Sequence, residues 1–310
     1  MVLLSFLSSV YQQLAPLVPP GLAVCLASAF VCDGRHFEAF KNEFIGVSFF
    51  FSVCHCFVTA NCYDTYLTCS STQTILMIGF TFSPGKWIGQ DSLALAWLAH
   101  AAGVVASDKI GGGQHVNPAV TFSMYALGKC SYTEGFVRIT GAMAGGLVAF
   151  PLFKLFADQL GLTPLGGPEF DPKDDEEGIA AGFSEFCAIV LLMILIYAVN
   201  WELNFGKYHY WIKQTLTAIG IRYLIETFPL AGPAINPMLG TTWYIFASGG
   251  NFPDHLGHYF TYWISPFAGA IFASCLYVVY AGGTVFGKTL PIGPIKGEEK
   301  PEKVESKKKK

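Results

Sequence analysis

Long apolar runs alternate with short polar connections along this chain. Six of them, roughly 37–62, 92–107, 135–157, 180–199, 211–228 and 258–281, are long and charge-poor enough to be read as membrane-crossing helices, which need about 20 apolar residues. Two further runs are too short to cross. One follows Asn117-Pro118-Ala119 inside GGGQHVNPAVTF and fades near Leu127; the other follows Asn236-Pro237-Met238 inside LAGPAINPMLGTTW and fades near Ala247. Asn is among the best helix N-caps, and Pro suits the first helical position because its missing N–H would be an orphan donor there. Each tripeptide is therefore read as a helix start, and each helix is roughly 15 Å long at about 1.5 Å per residue. That is half of a bilayer core of about 30 Å.

Read outward from the tripeptides, the first half runs span, span, half-helix, span, and the second half repeats that order. Three spans per half is an odd number, so the halves insert in opposite directions and form an inverted repeat, with its site at the bilayer midplane. The expected fold is all-α, six transmembrane helices plus two re-entrant half-helices. Its divisions are an apolar N-terminal segment at 1–36, a first half at 37–157, an acidic loop at 158–178, a second half at 179–282 and a disordered Lys-rich tail at 283–310. Glu43 opens NEFIGVSFFFSV and Glu185 follows the Ser that opens SEFCAIVLLMIL, each near the start of the first span of its half. A carboxylate there is costly and marks a function. The irregular backbone leading into each half-helix has N–H groups and no bulk water to take them, so Glu43 and Glu185 are expected to accept those bonds.

Hydrophobic residues make up 52% and charged residues 13%, which excludes an ordinary soluble enzyme. Arg35, Lys41, Lys109, Lys129, Arg138, Lys207, Lys213 and the lysines from Lys288 onward fall on one side if both termini share it, and that side is cytosolic by the positive-inside rule. The opposite side carries GGPEFDPKDDEEG, read as a solvated acidic loop. Nine cysteines, most of them inside apolar runs, do not make a disulfide framework; Cys62 and Cys69, in a non-cytosolic connection, are read as free thiols with pairing left open. Pro16, Pro19 and Pro20 break the first thirty residues into pieces too short to span, and no basic stretch precedes them, so an interfacial segment is expected there rather than a cleaved leader. The last residues, GEEKPEKVESKKKK, lack the apolar content to fold. Lys307 and Lys308 suit either a dilysine retrieval address or contact with anionic lipid.

With these residues in view the chain resembles the major intrinsic protein family, the aquaporins and glycerol facilitators. HVNPAVTF resembles the first family signature, RITGAMAGGLVA the third span and YWISPFAGAIFA the sixth, so the likeness runs from about residue 37 to 281. It implies a homotetramer in which each protomer holds its own pore, with the half-helices meeting tip to tip. Each N-terminus carries about half a positive elementary charge, so two of them aimed at one constriction oppose cations, protons included. Asn117 and Asn236, fixed by their caps, would offer amide N–H groups to a passing solute oxygen. His115 matches the family's own His and is assigned to the cytosolic vestibule.

The second tripeptide departs from the family's water-selective pattern, Asn-Pro-Ala followed by Arg: here Met238 and Leu239 stand in those places, so the filter cation is missing. That departure resembles the family's unorthodox intracellular branch. An ungapped alignment from Asn236 puts the other filter positions on Leu224 and Pro233, and on Ala96 or Trp97. Met238 is expected to narrow or soften the midplane. Arg222 and Glu226, four apart on one helical face, are read as a mutually neutralising pair buried against protein, with Arg222 as a substitute filter cation the sharper alternative. Cys54-His55-Cys56 lacks the spacing of helical metal ligands and is read as packing. The expected function is a passive channel for water and small neutral solutes such as glycerol, urea or peroxide, set in membrane lipid, with no cofactor, no nucleic-acid partner and no catalysis. Two rivals stay open: a closed pore-fold protein with a structural or assembly role, favoured by Met238 and Trp97, and a coupled transporter that uses Arg222 or Glu226.

Overall fold

The computed structural model describes residues 70–79, 93–113, 115–162, 166–168, 170, 175–232 and 234–296, with only the backbone at 93, 95, 96, 175 and 176. The predicted span at 37–62 with Glu43, the Cys54-His55-Cys56 run, Cys62, Cys69, Pro233, residues 163–165, 169 and 171–174 of the acidic loop and the terminal lysines lie outside the described residues.

Eight helices follow one another among the described residues: α1 (70–79), α2 (Leu93–Gly111), α3 (Pro118–Ala126), α4 (Tyr132–Leu160), α5 (Asp175–Tyr197, continued by a π turn at Ala198–Glu202), α6 (His209–Thr227), α7 (Pro237–Ala247) and α8 (Leu256–Ala281, with a π turn at Phe260–Ile264). Three are long and apolar enough to cross a membrane: Tyr132–Leu160, Glu177–Glu202 and Leu256–Ala281. The 19-residue α6 falls outside that set because Lys213, Arg222 and Glu226 interrupt it. Local signals set several ends. Ser131 accepts the Glu134 N–H at 3.1 Å to start α4, and Gly161 closes it in the left-handed conformation.

The short helices are positioned by the long ones. α3 packs on α8, α7 packs on α4, α5 lies along α8, and α2 runs against α6. Exchanging α1–α4 with α5–α8 maps the α3–α8 contact onto the α7–α4 contact and the α2–α6 contact onto itself. Close approach uses glycine in both halves. A Cβ on Gly145 of α4 would lie 2.6 Å from the Ser71 carbonyl oxygen of α1, and one on Gly269 of α8 would lie 2.7 Å from the Phe186 carbonyl oxygen of α5. Backbone cannot yield as a flexible side chain can, so Gly145→Ala is expected to destabilise the fold by about 2 kcal/mol, as overpacking does. Thermal unfolding in detergent checks this, and an unchanged midpoint would contradict the close α1–α4 seam.

Two features differ from the hydrophobic reading. The segment 70–79, between predicted spans, is a buried helix: Ile78 joins Met238, Trp243 and Phe150 in one apolar cluster, and Ser71 donates to the Gly141 carbonyl at 2.8 Å. The tail is ordered beyond 283. Phe286 N–H donates to the Ala126 carbonyl at the end of α3 (2.7 Å), Ile295 and Lys296 N–H groups bond to Val279 and Tyr280 carbonyls, and Lys296 pairs with Glu202 at 2.8 Å. A strap at 283–296 thus folds back over the ends of α3, α5 and α8, because its apolar Val285 and Phe286 find a core to join.

Candidate functional site

α3 and α7 begin as their tripeptides predict. Asn117 Oδ1 accepts from the Ala119 N–H at 2.9 Å and Asn236 Oδ1 from the Met238 N–H at 3.0 Å, with Pro118 and Pro237 at the first helical positions. What the tripeptides do not announce is a reciprocal bond. Asn117 Nδ2 donates to the Ile235 carbonyl at 2.8 Å, and Asn236 Nδ2 donates to the Val116 carbonyl at 3.1 Å. Each asparagine therefore caps its own helix with its oxygen and clasps the opposite loop with its nitrogen. The two N-termini are tied together by this exchange.

The loop before α7 is irregular, and its buried part is held by named bonds. Ile235 has φ +48, a left-handed conformation costly for a β-branched residue. Its carbonyl takes the Asn117 bond, and its N–H donates to Glu185 Oε1 at 3.2 Å. Tyr262 OH donates to the Ala231 carbonyl at 2.6 Å. Glu185 is fully buried on α5 and faces this loop, while its predicted counterpart Glu43 lies outside the described residues.

A cavity of about 530 Å³ opens on the clasp, and Asn117, Asn236, Val116 and Ile235 all line it. Its walls follow helical stripes. α6 contributes Tyr210, Gln214, Thr217, Ile221 and Ile225, and α5 contributes Leu192, Ile196 and Asn200, each series at steps of three or four. His100, Val104, Ser107 and Asp108 of α2, with Val120 and Met124 of α3, complete much of the surface. One mouth is charged, with Lys129, Glu134, Arg138 and Lys213 on it. There Arg138 pairs with Glu134 at 2.7 Å, and Lys213 donates to Asn200 at 2.9 Å.

The residues assigned from the sequence divide accordingly. Leu239 and His115 line the cavity. Leu224 does not: it is buried in the apolar core, one residue off the 217–221–225 stripe, so the ungapped alignment missed the lining face by one position. Met238 and Ala119 are also turned away. Met238 packs against Gly146 of α4 and so does not narrow the midplane, and Ala119 is enclosed by the α5 and α8 core. Both contribute through the backbone N–H that the cap holds. The Trp97 indole is not on the cavity wall either; its N–H donates to Glu226 Oε1 at 3.0 Å, and Glu226 accepts from Arg222 Nε at 2.9 Å. The Arg222 and Glu226 side chains are 28% and 34% exposed, so this pair is shared with a tryptophan and partly open rather than buried. For Ala96 the helical backbone alone is described, and Pro233 lies outside the described residues.

Asp108 and His100 are among the lining groups that went unread in the sequence. Asp108 accepts from Gln73 (3.2 Å), Tyr210 (2.8 Å) and Gln214 (2.6 Å), which joins α1, α2 and α6. His100 is the other, and only the register of α2 on α6 reveals it.

The sequence matches the model of one family, described as Major intrinsic protein, over residues 34–277. Among curated proteins it is similar to Aquaporin PIP1-1 of Arabidopsis thaliana, 26% identical over 212 residues that cover 66% of this chain and 72% of that one. Probable aquaporin TIP3-2 of Arabidopsis thaliana is 27% identical over 207 residues, covering 60% and 66%, and Aquaporin TIP1-2 of Zea mays is 26% identical over 206 residues, covering 61% and 72%.

Proposed function

The chain belongs to the major intrinsic protein family, and from that premise we propose that it is a passive transmembrane channel for water and small neutral solutes. The observation that carries this reading is the reciprocal clasp of Asn117 and Asn236 on the wall of a cavity. An amide nitrogen has two N–H groups. One on each asparagine is spent on the opposite loop, which leaves the other to meet a solute oxygen in a fixed direction. A water held by both donates outward on either side, so a proton wire is broken at that point. The helix ends behind the asparagines add about half a positive charge each and disfavour cations. The relatives named as aquaporins support the same reading.

The wider architecture belongs to this proposal: six spans and two re-entrant half-helices, α3 and α7, in an inverted repeat divided at 1–36, 37–157, 158–178, 179–282 and a tail shortened at its start by the strap. So do a homotetramer, cytosolic termini and residence in an internal membrane, the last on Lys307 and Lys308 and on the Met238-Leu239 departure shared with the unorthodox branch. The rival of a closed, structural pore drew on Met238 and Trp97, and the coupled-transporter rival on Arg222 and Glu226. None of the four lines the cavity.

Stopped-flow shrinkage of proteoliposomes with water, glycerol and peroxide as permeants tests the proposal directly. Permeation above that of empty vesicles is expected, and its absence for all three returns the structural rival. Leu239 sits on the wall beside Asn236. Leu239→Arg would put a long cation into this passage, so glycerol permeation is expected to fall about tenfold and water less than threefold, since a filter rejects the larger solute first. An equal loss of both would contradict the placement of Leu239 in the filter.

A further inference from the structure

We propose that the charged mouth of the cavity binds a phosphate group between the Lys129 and Lys213 ammoniums, and that its occupancy obstructs the passage. The obstruction rests on the channel reading; the binding site does not.

The π turn that follows α5 gathers cations. Three consecutive residues each hold a lysine from a different element. The Asn200 amide oxygen accepts from Lys213 of α6 at 2.9 Å, the Trp201 ring centre lies 5.3 Å from the Lys129 ammonium of the α3–α4 turn, and Glu202 pairs with Lys296 of the strap at 2.8 Å. Such π turns are frequent at functional sites. This one is fixed locally: Asn200 Nδ2 donates to the Ile196 carbonyl at 2.8 Å, which turns the amide oxygen toward Lys213, and Trp201 stacks on Tyr197 with ring centres 5.1 Å apart.

The three lysines differ in what neutralises them. Lys296 has a carboxylate and does not line the cavity. Lys129 and Lys213 line it, together with Asn200 and Trp201, and neither has a carboxylate partner among the described residues. A ring face and an amide oxygen steer an ammonium without cancelling its charge. The other charged side chains on the wall are engaged elsewhere. Glu134 Oε1 takes Arg138 Nε at 2.9 Å and Nη2 at 2.7 Å, and Asp108 takes Gln73, Tyr210 and Gln214. A lysine that only orients the chain in a membrane needs to reach the aqueous side; it need not be held against a cavity wall.

Phosphate suits this pair. It offers three or more strong acceptor oxygens, so one group can meet both ammoniums, and lysine binds it as a point charge. The cavity, of about 530 Å³, has room for it and reaches Asn117 and Asn236, so an anion lodged at this mouth stands in front of the clasp. Free phosphate and a phosphorylated lipid headgroup share the chemistry.

The test uses the full-length protein. Thermal unfolding in detergent is followed in inorganic phosphate and in chloride of equal ionic strength, on the parent and on Lys129→Gln/Lys213→Gln. A site of about 1 mM affinity is about nine-tenths filled at about 10 mM phosphate, which should raise the parent's midpoint by about 3 °C. The double variant should keep less than about a third of that shift, because the general stabilising effect of phosphate acts on both proteins alike. In proteoliposomes of neutral lipid the same phosphate should lower the parent's water flux about tenfold and the variant's less than about twofold. Vesicles carrying a phosphoinositide instead of free phosphate separate the sources: inhibition by the lipid alone keeps the site and assigns it to a headgroup. Should the double variant fail to fold, Lys213→Gln is read by the same criterion, with Lys213→Arg expected to keep the response. No response of the parent to either probe, or an equal response of the glutamine variant, overturns the inference. A midpoint shift without loss of flux in a conducting parent overturns the obstruction. A lysine-dependent shift in a parent that conducts nothing above empty vesicles keeps the site and overturns the channel reading.

Discussion

Asn117→Ala is expected to destabilise the protein by about 3 kcal/mol: about 1 for the lost cap on α3 and about 2 for the Ile235 carbonyl left buried without its donor. Asn236→Ala should cost less, about 2 kcal/mol, because the Val116 carbonyl it abandons belongs to a less buried residue. The reciprocal geometry makes a sharper claim than either number. Once one asparagine is gone, the facing loop is free to shift, and the second bond loses part of its worth. The double variant should therefore fall short of the sum by more than the 0.5 kcal/mol or so within which independent sites add. Unfolding in detergent, followed by tryptophan fluorescence across the four proteins of the cycle, measures this coupling. Asn117→Asp separates the two roles of one side chain. It keeps the oxygen that caps α3 and removes the nitrogen that reaches Ile235, so it should lose the larger share of the energy while α3 still starts at Pro118. Strict additivity across the cycle would mean that α3 and α7 are held apart from each other's influence.

The short helices α3 and α7 were legible because everything that starts them is local: an asparagine, a proline one residue on, and a short apolar run. Glu185 was legible for a different reason, since a carboxylate among apolar residues has few explanations. Side-chain direction was not. Whether Met238 points into the passage depends on Gly146 of α4, which leaves room for its thioether on the other side, and no pattern near Met238 says so. Leu224 was lost to a register error of one residue, although the stripe Thr217, Ile221, Ile225 has the helical step that marks a face. His100 and Asp108 depend on how α2 lies against α6, which two distant hydrogen-bonded contacts set and neither helix encodes alone. The described helix at 70–79 falls between the runs read as spans, and its burial against α4 is what identifies it as core.

Glu185→Leu should be the most damaging of the single changes to the second loop, at about 4 kcal/mol. The Ile235 N–H loses its acceptor in a region without bulk water, which costs about 2 kcal/mol. The left-handed conformation at Ile235 then has one constraint fewer, and such strain, of order 1–3 kcal/mol, persists only while its surroundings over-determine it. As the loop relaxes, the Asn117 bond to the Ile235 carbonyl goes with it. One effect opposes these: leucine removes the burden of a buried carboxylate. That relief is small here, because α5 remains inserted whether or not the tertiary contacts form, so the burden is largely common to both states. Glu185→Gln keeps an amide oxygen where Oε1 lies and should cost about 1 kcal/mol, retaining the clasp and its water flux. Melting midpoints and proteoliposome permeability, measured together on the two variants, decide the matter. If leucine is as well tolerated as glutamine, Glu185 does not hold the loop, and the strain at Ile235 must be supported from elsewhere.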